Sequence, residues 1–548
     1  MSVGTEPARK PSSQRIAVIG SGIAGLTTAF LLARRGHDVT LLEREDEIGM
    51  DAHGVSGICG SSADTRVDVP LRVFSRSYYP NLVQLYNLIG MDIIDADYSF
   101  SCSGFTRGSD DAPLFGYNRY GWFVLPQLSS LMPSFRAALS NANLLLQLVS
   151  LLFRADGYVR SGATEGAELG EFLTSRGFSD RFKAALFYPM LSVVCTCSYT
   201  SIDKYPASVA LEYFAKHGVF NWPWAKTCQC RVVGGVRKVA RTLVQHVARV
   251  RLGVKVLGVL TTVGSDGNGG SGKPVVAYTA PELDRKTSEG STISRREVQE
   301  QFDHVVIATQ AHQALGLLAA PHEAKSEKFG VVSSGSNTAV GDVMPIPWFG
   351  EYQQSLGGFK YERSRVVVHQ DPRLMPSSRR QWSPLNILVP GVSDPSSTMN
   401  SSTMPMCSVW MTKIDARVSP DVYQTWNPLL EPHGEVFADG EFERPVVSTA
   451  SARCMKRLHD VQGKGGIHFV GAYALLAVPL LENGVRSAMQ TAERIDPTCR
   501  APWLDADVTV VDGNTKRDLA SWKFLVGFAV AGGGLICLLS QAPSRKPR

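Results

Sequence analysis

The 548-residue sequence contains no block of lysine and arginine interleaved with aromatic residues, and its formal charge of +6 is small for its length. Nucleic acid is therefore not an expected partner, because binding a polyphosphate needs a concentrated basic surface. Zinc-ribbon spacing is missing too. The ten cysteines are scattered, with C-x-C pairs at Cys195/Cys197 and Cys228/Cys230, and read as reduced thiols with no metal site. The opening stretch MSVGTEPARKPSSQR has no apolar core, so a short disordered tail over 1–14 is expected there, neither a secretory signal nor an N-terminal anchor. No internal repeat is found.

What is present is globular usage, 44% hydrophobic and 19% charged, which suits two or more joined domains. One apolar run stands apart near the C-terminus. Phe524 to Leu539 spans only about 24 Å as a helix, but 520–542 reaches about 34 Å against a hydrocarbon core of about 30 Å. Trp522 and Lys523 suit an interface. A single C-terminal membrane pass with the body on the cytosolic side is expected, the alternative being a helix packed on the body. A second apolar run, Leu144 to Phe153, is expected to be a buried helix, the alternative being one that dips into a membrane. Gly264 to Lys273 and Ser393 to Thr403, rich in small polar residues, are expected to be surface insertions.

The strongest pattern runs from Ile16 to Gly36, I-A-V-I-G-S-G-I-A-G-L-T-T-A-F-L-L-A-R-R-G. A strand (Arg15 to Ile19), a tight turn (Gly20 to Gly25), a helix (Leu26 to Arg35) and a second strand (Asp38 to Glu43) make one βαβ unit. Gly20 permits the turn, Gly22 lets the backbone approach a pyrophosphate, and Gly25 lets the helix pack against the strand, so that the helix N-terminus faces the phosphates. Glu43 follows about twenty residues on, where a carboxylate accepts hydrogen bonds from the ribose hydroxyls and repels a 2′-phosphate. NADP is disfavoured; FAD and NAD both remain open at this point.

Later segments resemble the flavin amine oxidoreductase superfamily, which includes monoamine oxidases, protoporphyrinogen oxidase and phytoene desaturases. They are R-V-V-G-G-V at Arg231 to Val236, the strand at Leu252 to Val256, H-V-V-I-A-T at His304 to Thr309, F-V-G-A-Y at Phe469 to Tyr473 and E-N-G-V-R-S-A at Glu482 to Ala488. Y-Y-P-N-L at Tyr78 to Leu82, Y-S-F-S at Tyr98 to Ser101, Y-P-A-S at Tyr205 to Ser208 and H-Q-D-P-R-L-M-P at His369 to Pro376 narrow the likeness to a branch known as predicted NAD/FAD-binding proteins. That likeness runs over about residues 15 to 496. It implies FAD as cofactor, held by Gly20, Ser21, Gly22, Ile23, Ala24, Gly25, Glu43, Arg44, Arg72, Val256, Thr309, Gly471, Gly484 and Val485. Some members of the branch are associated with modified fatty acids, which implies a lipid-like substrate.

The sequence departs from the superfamily at three places. Met50 follows Gly49 where a second glycine is usual, Ala472 follows Gly471 where amine oxidases carry glutamate, and V-P-L-R-V at 69–73 puts Arg72 near the expected flavin, placed to offset charge on its reduced form. Hydride transfer to a flavin needs a C–H bond held in place more than it needs an acid or base. Tyr473 is read either as lining the flavin or as packing. His369 and Asp371 are read either as a site for a carboxyl or a general base with its orienting acid, or as a turn that anchors two strands. His217 reads as part of a helix C-cap region.

The expected fold is α/β: a Rossmann-like FAD-binding domain with a central parallel sheet, discontinuous in sequence, plus an inserted α+β substrate domain and a C-terminal hydrophobic helix. The FAD-binding parts are placed at 15–98, 230–320 and 451–498, a helical substrate domain at 99–229, a sheet-rich substrate part at 321–450, a linker at 499–519 and the anchor at 520–542. The expected activity is a two-electron oxidation or desaturation of an apolar, lipid-like (fatty-acyl or isoprenoid) substrate, with the electron acceptor open. A flavin amine oxidase is one alternative, and a non-catalytic FAD-binding redox sensor or scaffold is another.

Overall fold

The computed structural model describes residues 13–500 apart from 51, 59–64, 106–112, 121–122, 127–134, 218–228, 264–270, 282–294, 324–342 and 391–403. The expected anchor at 520–542, the N-terminal tail and most of the two insertions lie outside the described residues. Among the described residues no helix is long and apolar enough to cross a membrane.

Strand β1 (Arg15–Ile19), helix α1 (Ile23–Arg34) and strand β2 (Asp38–Leu42) form the N-terminal βαβ unit. Both strands are apolar and buried over four consecutive residues, as strands covered on both faces must be. Nine residues of α1 are buried, and the helix stops where Gly36 adopts a φ of 90°, a conformation that costs glycine little. Three further strands complete the sheet: β3 (Arg249–Arg251), β4 (His304–Ile307) and β5 (Ile467–Phe469). The order is β3-β2-β1-β4-β5, and every pairing is parallel. This is the Rossmann order, and it reverses direction between β1 and β4, which opens a crevice at the carboxyl ends of those two strands.

An eight-stranded sheet faces that crevice. Its strands run in the order Val436–Val446, Lys360–His369, Tyr423–Trp426, Met406–Trp410, Leu385–Pro390, Phe100–Phe105, Pro113–Tyr120 and Phe123–Pro126. The pairing of Leu385–Pro390 with Phe100–Phe105 is parallel and the others are antiparallel. Helices Phe135–Arg160, Tyr188–Cys195 and Ala207–His217 pack on it through a shared core that includes Leu148, Leu191, Leu211, Val366, Ile387 and Val409.

Two expectations need correction. The region from 99 is not helical from its start: Phe100–Phe105 and the two strands after it belong to the eight-stranded sheet, where their aromatic residues suit a pleated surface better than a helix. The run Leu144 to Phe153 is not buried all round. Leu144, Leu148 and Leu151 form an inward stripe, whereas Leu146 and Phe153 are 62% and 53% exposed, because a helix lying on one side of a sheet can bury only one face.

The close packing at the start of α1 has a measurable consequence. A Cβ built on Gly25 lies 2.0 Å from the Gly20 carbonyl oxygen and 3.1 Å from the Ala308 Cβ. Gly25→Ala is expected to destabilise the cofactor-free protein by at least roughly 1–3 kcal/mol, the usual cost of overpacking. An unchanged midpoint of thermal unfolding would refute this.

Candidate functional site

The turn between β1 and α1 is built from glycines that do different work. Gly20 has a φ of 101°, and its N–H donates to the Leu42 carbonyl at 2.8 Å. Gly22, by contrast, has a φ of −69°, and a Cβ placed there meets nothing within 4 Å. The protein's own packing does not require glycine at 22, and the space a side chain would fill belongs to the adjoining cavity. No side chain caps α1 and no acidic residue lies in its first turn, so its N–H donors and the positive end of its dipole remain available to an anionic ligand.

Glu43 closes the other side of this turn. Its buried carboxylate accepts from the Ser21 N–H (2.8 Å), the Ser21 hydroxyl, the Arg44 N–H (2.7 Å) and the Glu45 N–H (3.1 Å). The Ser21 hydroxyl oxygen in turn accepts from the Gly49 N–H at 2.6 Å, and the Met50 N–H donates to the Ser21 carbonyl at 3.2 Å. Glu43 thus fixes the turn from within, a task the sequence did not disclose. Four donors nearly fill the acceptor capacity of a carboxylate, so ribose hydroxyls would share or replace those bonds.

The glycine turn opens on a cavity of about 800 Å³, within the range of about 300–1,000 Å³ common for ligand sites. One end is lined by Gly20, Ser21, Gly22, Ile23, Ala24, Glu43, Arg44, Met50, Val256 and Thr309. Gly471, Ala472, Tyr473 and Gly484 line it from the other half of the Rossmann domain. A Cβ on Gly484 would lie 2.9 Å from the Ile23 Cγ2, so this glycine lets helix α2 (Leu481–Ile495) pack close to α1. Elsewhere the wall is aliphatic and aromatic: Met190, Val193, Val194, Tyr213 and Phe214 from the helices, and Leu385, Ile387, Val409, Trp426 and Phe442 from one face of the eight-stranded sheet.

Two arginines share this wall, Arg72 and Arg444. Arg72 follows a loop clamped by the buried Gln424, whose amide accepts from the Leu71 N–H at 2.7 Å and donates to the Asp68 carbonyl at 3.0 Å. Burial lowers the Arg72 pKa, against the opposing pull of Asp68. Burial and then the nearby Arg72 charge bring Arg444 down to about 10. The buried Glu482 at the head of α2 accepts from the Asn81 side-chain amide (2.7 Å) and the Leu82 N–H (3.0 Å), which fixes the helix start beside Tyr79.

The remaining candidates separate. Gly25 and Val485 lie behind the cavity and pack α1 and α2. Arg44 turns its guanidinium outward to Glu45. Tyr473 lines the cavity, and its buried hydroxyl has no hydrogen-bond partner among the described residues. His369 and Asp371 are not among the residues that line it. The His369 Nδ1 accepts from the Asp371 N–H at 3.0 Å, and its Nε2 meets the Thr425 hydroxyl at 2.8 Å. Asp371 binds the Arg373 guanidinium and the His433 N–H. Burial opposes its ionisation, but these donors outweigh burial and bring its pKa down to about 2. Both imidazole nitrogens are engaged away from the cavity, so the pair serves the turn rather than acting as a base.

A family model described as an NAD(P)-binding Rossmann-like domain matches residues 18–88. The small chain of glutamate synthase (NADPH) from Mycobacterium tuberculosis is 55% identical over 47 residues, 9% of this chain and 10% of that protein. The sequence likeness to curated relatives thus spans about a tenth of their length. Over the whole fold, cyclohexylamine oxidase from Brevibacterium oxydans IH-35A superposes with a TM-score of 0.52 at 14% identity, covering 88% of this chain and 98% of that one. Putrescine oxidase bound to putrescine gives 0.52 at 12% identity, covering 88% and 99%. At such identities these likenesses show a shared fold.

Two outcomes follow from this geometry. Gly22→Ala is expected to leave the cofactor-free unfolding midpoint unchanged while weakening dinucleotide binding at least tenfold, measured by fluorescence titration; unchanged affinity would show that no ligand backs onto Gly22. His369, neutral when folded because burial lowers its pKa to about 4, disfavours the folded state once protonated. Stability should be full above an unfolded pKa of about 6.5 and should fall by up to roughly 3 kcal/mol as pH drops towards 4. Denaturant unfolding of His369→Gln should show a shallower loss over that interval, and equal slopes would overturn the assignment.

Proposed function

We propose that the protein is an FAD-dependent oxidoreductase that removes two electrons from an apolar, lipid-like substrate. One observation carries the reading: the cavity that receives Gly22 at the end of β1 also takes in a chamber walled by Met190, Val193, Val194, Leu385, Ile387 and Val409. Cofactor and substrate would thus share one space. The residues present fit FAD. The uncapped start of α1 and the open face of Gly22 suit a pyrophosphate, Glu43 and Val256 suit the adenosine, and Gly471 with the head of α2 suits the ring end. FAD, when bound, supplies an acceptor for a hydride.

The chain's own contribution is positioning. The aliphatic wall orients a carbon chain and excludes water, while Tyr473 and Arg72 border the ring end. No histidine lines the cavity among the described residues, in keeping with a reaction that depends on holding a C–H bond more than on moving a proton. A flavin amine oxidase is the second reading, favoured by the aromatic side chains of Tyr79, Tyr98, Tyr213, Phe214 and Trp426 in the same wall. Arg72 and Arg444 weigh against it, because two cations in the cavity wall raise the free energy of an ammonium group nearby.

The purified protein should show a flavin absorbance band, and anaerobic addition of lipid fractions should bleach it while primary amines do not. Absence of the band would overturn the cofactor assignment, and bleaching by amines alone would overturn the substrate class. A flavin that no lipid or amine reduces would leave the protein a redox sensor or scaffold.

A further inference from the structure

Arg72 and Arg444 are two half-buried cations in one cavity wall with little to balance them. In the strand Val436–Val446 successive side chains alternate between faces, so Arg444 shares the cavity face with Phe442, two residues before it. Glu443 also lines the cavity, but its carboxylate is engaged by Arg363 at 3.0 Å and His312 at 3.2 Å. The Arg444 guanidinium lies over the Trp426 ring, 5.8 Å from its centroid. Neither arginine makes an ion pair or side-chain hydrogen bond with another described residue. Asp68, the carboxylate that acts on Arg72, is also turned to the Val236 N–H, 3.2 Å from each of its oxygens.

Holding two guanidinium groups in one mostly apolar chamber is unfavourable unless an anion compensates them. Tyr79 lines the same chamber. Arginine presents a planar fork of donors that matches an oxyanion. The surrounding wall is carbon, so the rest of such a ligand must be apolar.

We propose that Arg72 and Arg444 form a seat for the oxyanion head group of an amphiphile whose apolar body lies along the chamber. This rests on the assignment of the cavity to FAD and an apolar substrate, and adds the chemistry of the substrate's polar end. The seat holds one end of the molecule and so sets which carbon along the chain reaches the reacting position. Arg72 and Arg444 act here as specificity-determining residues.

The test is calorimetric titration of the flavin-loaded protein with decanoate, methyl decanoate, decyl phosphate and decylamine. The two oxyanions should bind at least tenfold more tightly than the ester and the amine, and their relative affinities separate a carboxylate from a phosphate as the preferred head. Arg72→Gln and Arg444→Gln should each lower decanoate affinity at least tenfold, while Arg444→Gln should leave that of the ester unchanged and retain the flavin band. Equal binding of acid and ester, or preferential binding of the amine, would overturn the proposal. So would an Arg444→Gln protein that folds but loses flavin, since that guanidinium group would then serve the cofactor. Should the glutamine variants fail to fold, the comparison of acid with ester on the unaltered protein decides. Unaltered protein without flavin fails the underlying assignment, whereas flavin-loaded protein that binds acid and ester alike fails this inference alone.

Discussion

How closely α1 can approach β1 and β4 determines where the cavity lies. Gly25 lets the helix sit where any Cβ would strike the Gly20 carbonyl, and the same contact brings Ala308, at the end of β4, against the turn. With the helix drawn in, its uncapped N-terminus points into the crevice between β1 and β4 rather than over the sheet edge. Gly484 repeats the device from the other side by letting α2 close on Ile23. Two helix starts therefore border one space, and the strand order places that space at the switch point of the sheet. A bulkier residue at either glycine would move both donors and walls together.

Glu43 shows how local order and ligand preference come from the same group. Its carboxylate gathers four donors around the Ser21–Met50 corner, and this holds the corner without help from the double glycine that the superfamily commonly carries there. Met50 is tolerated because its backbone, rather than its side chain, makes the connection to Ser21. A fixed negative charge at the end of β2 also disfavours a cofactor with a further phosphate on its ribose, so one residue stabilises the turn and narrows what the turn accepts.

The parts of the fold legible in the sequence were those set by short-range rules. The glycine spacing, the buried apolar strands and the parallel pairing of β1 with β2 follow from steric limits that act within about thirty residues. Thr309, Val256, Gly471 and Gly484 were reachable through resemblance, and all four line the cavity. Arg444 was not, because only the alternation of a strand in a distant sheet turns it inward, and nothing local distinguishes it from Arg363 or Arg365, which form surface ion pairs. His369 and Asp371 left two readings open in the sequence, because a polar pair in an apolar stretch suits a base or a turn alike; their donors and acceptors are engaged in the turn. Leu146 and Phe153 misled because an uninterrupted apolar run carries no record of which side meets the sheet.

The fold is shared by proteins whose names specify different substrates, so the chamber rather than the Rossmann turn must set the reaction. Its wall combines two layers that meet only in the folded protein, helices contributing Met190, Val193 and Phe214 and the sheet contributing Ile387, Val409 and Trp426. Such a surface binds by area and shape and discriminates weakly along a hydrocarbon chain, where each methylene contributes only about 0.8 kcal/mol. Register along that chain has to come from a polar contact at one end. The two guanidinium groups are charged donors placed to give it, since no histidine lines the cavity among the described residues. Aromatic side chains alone would equally suit an amine; the positive potential beside them separates the two readings.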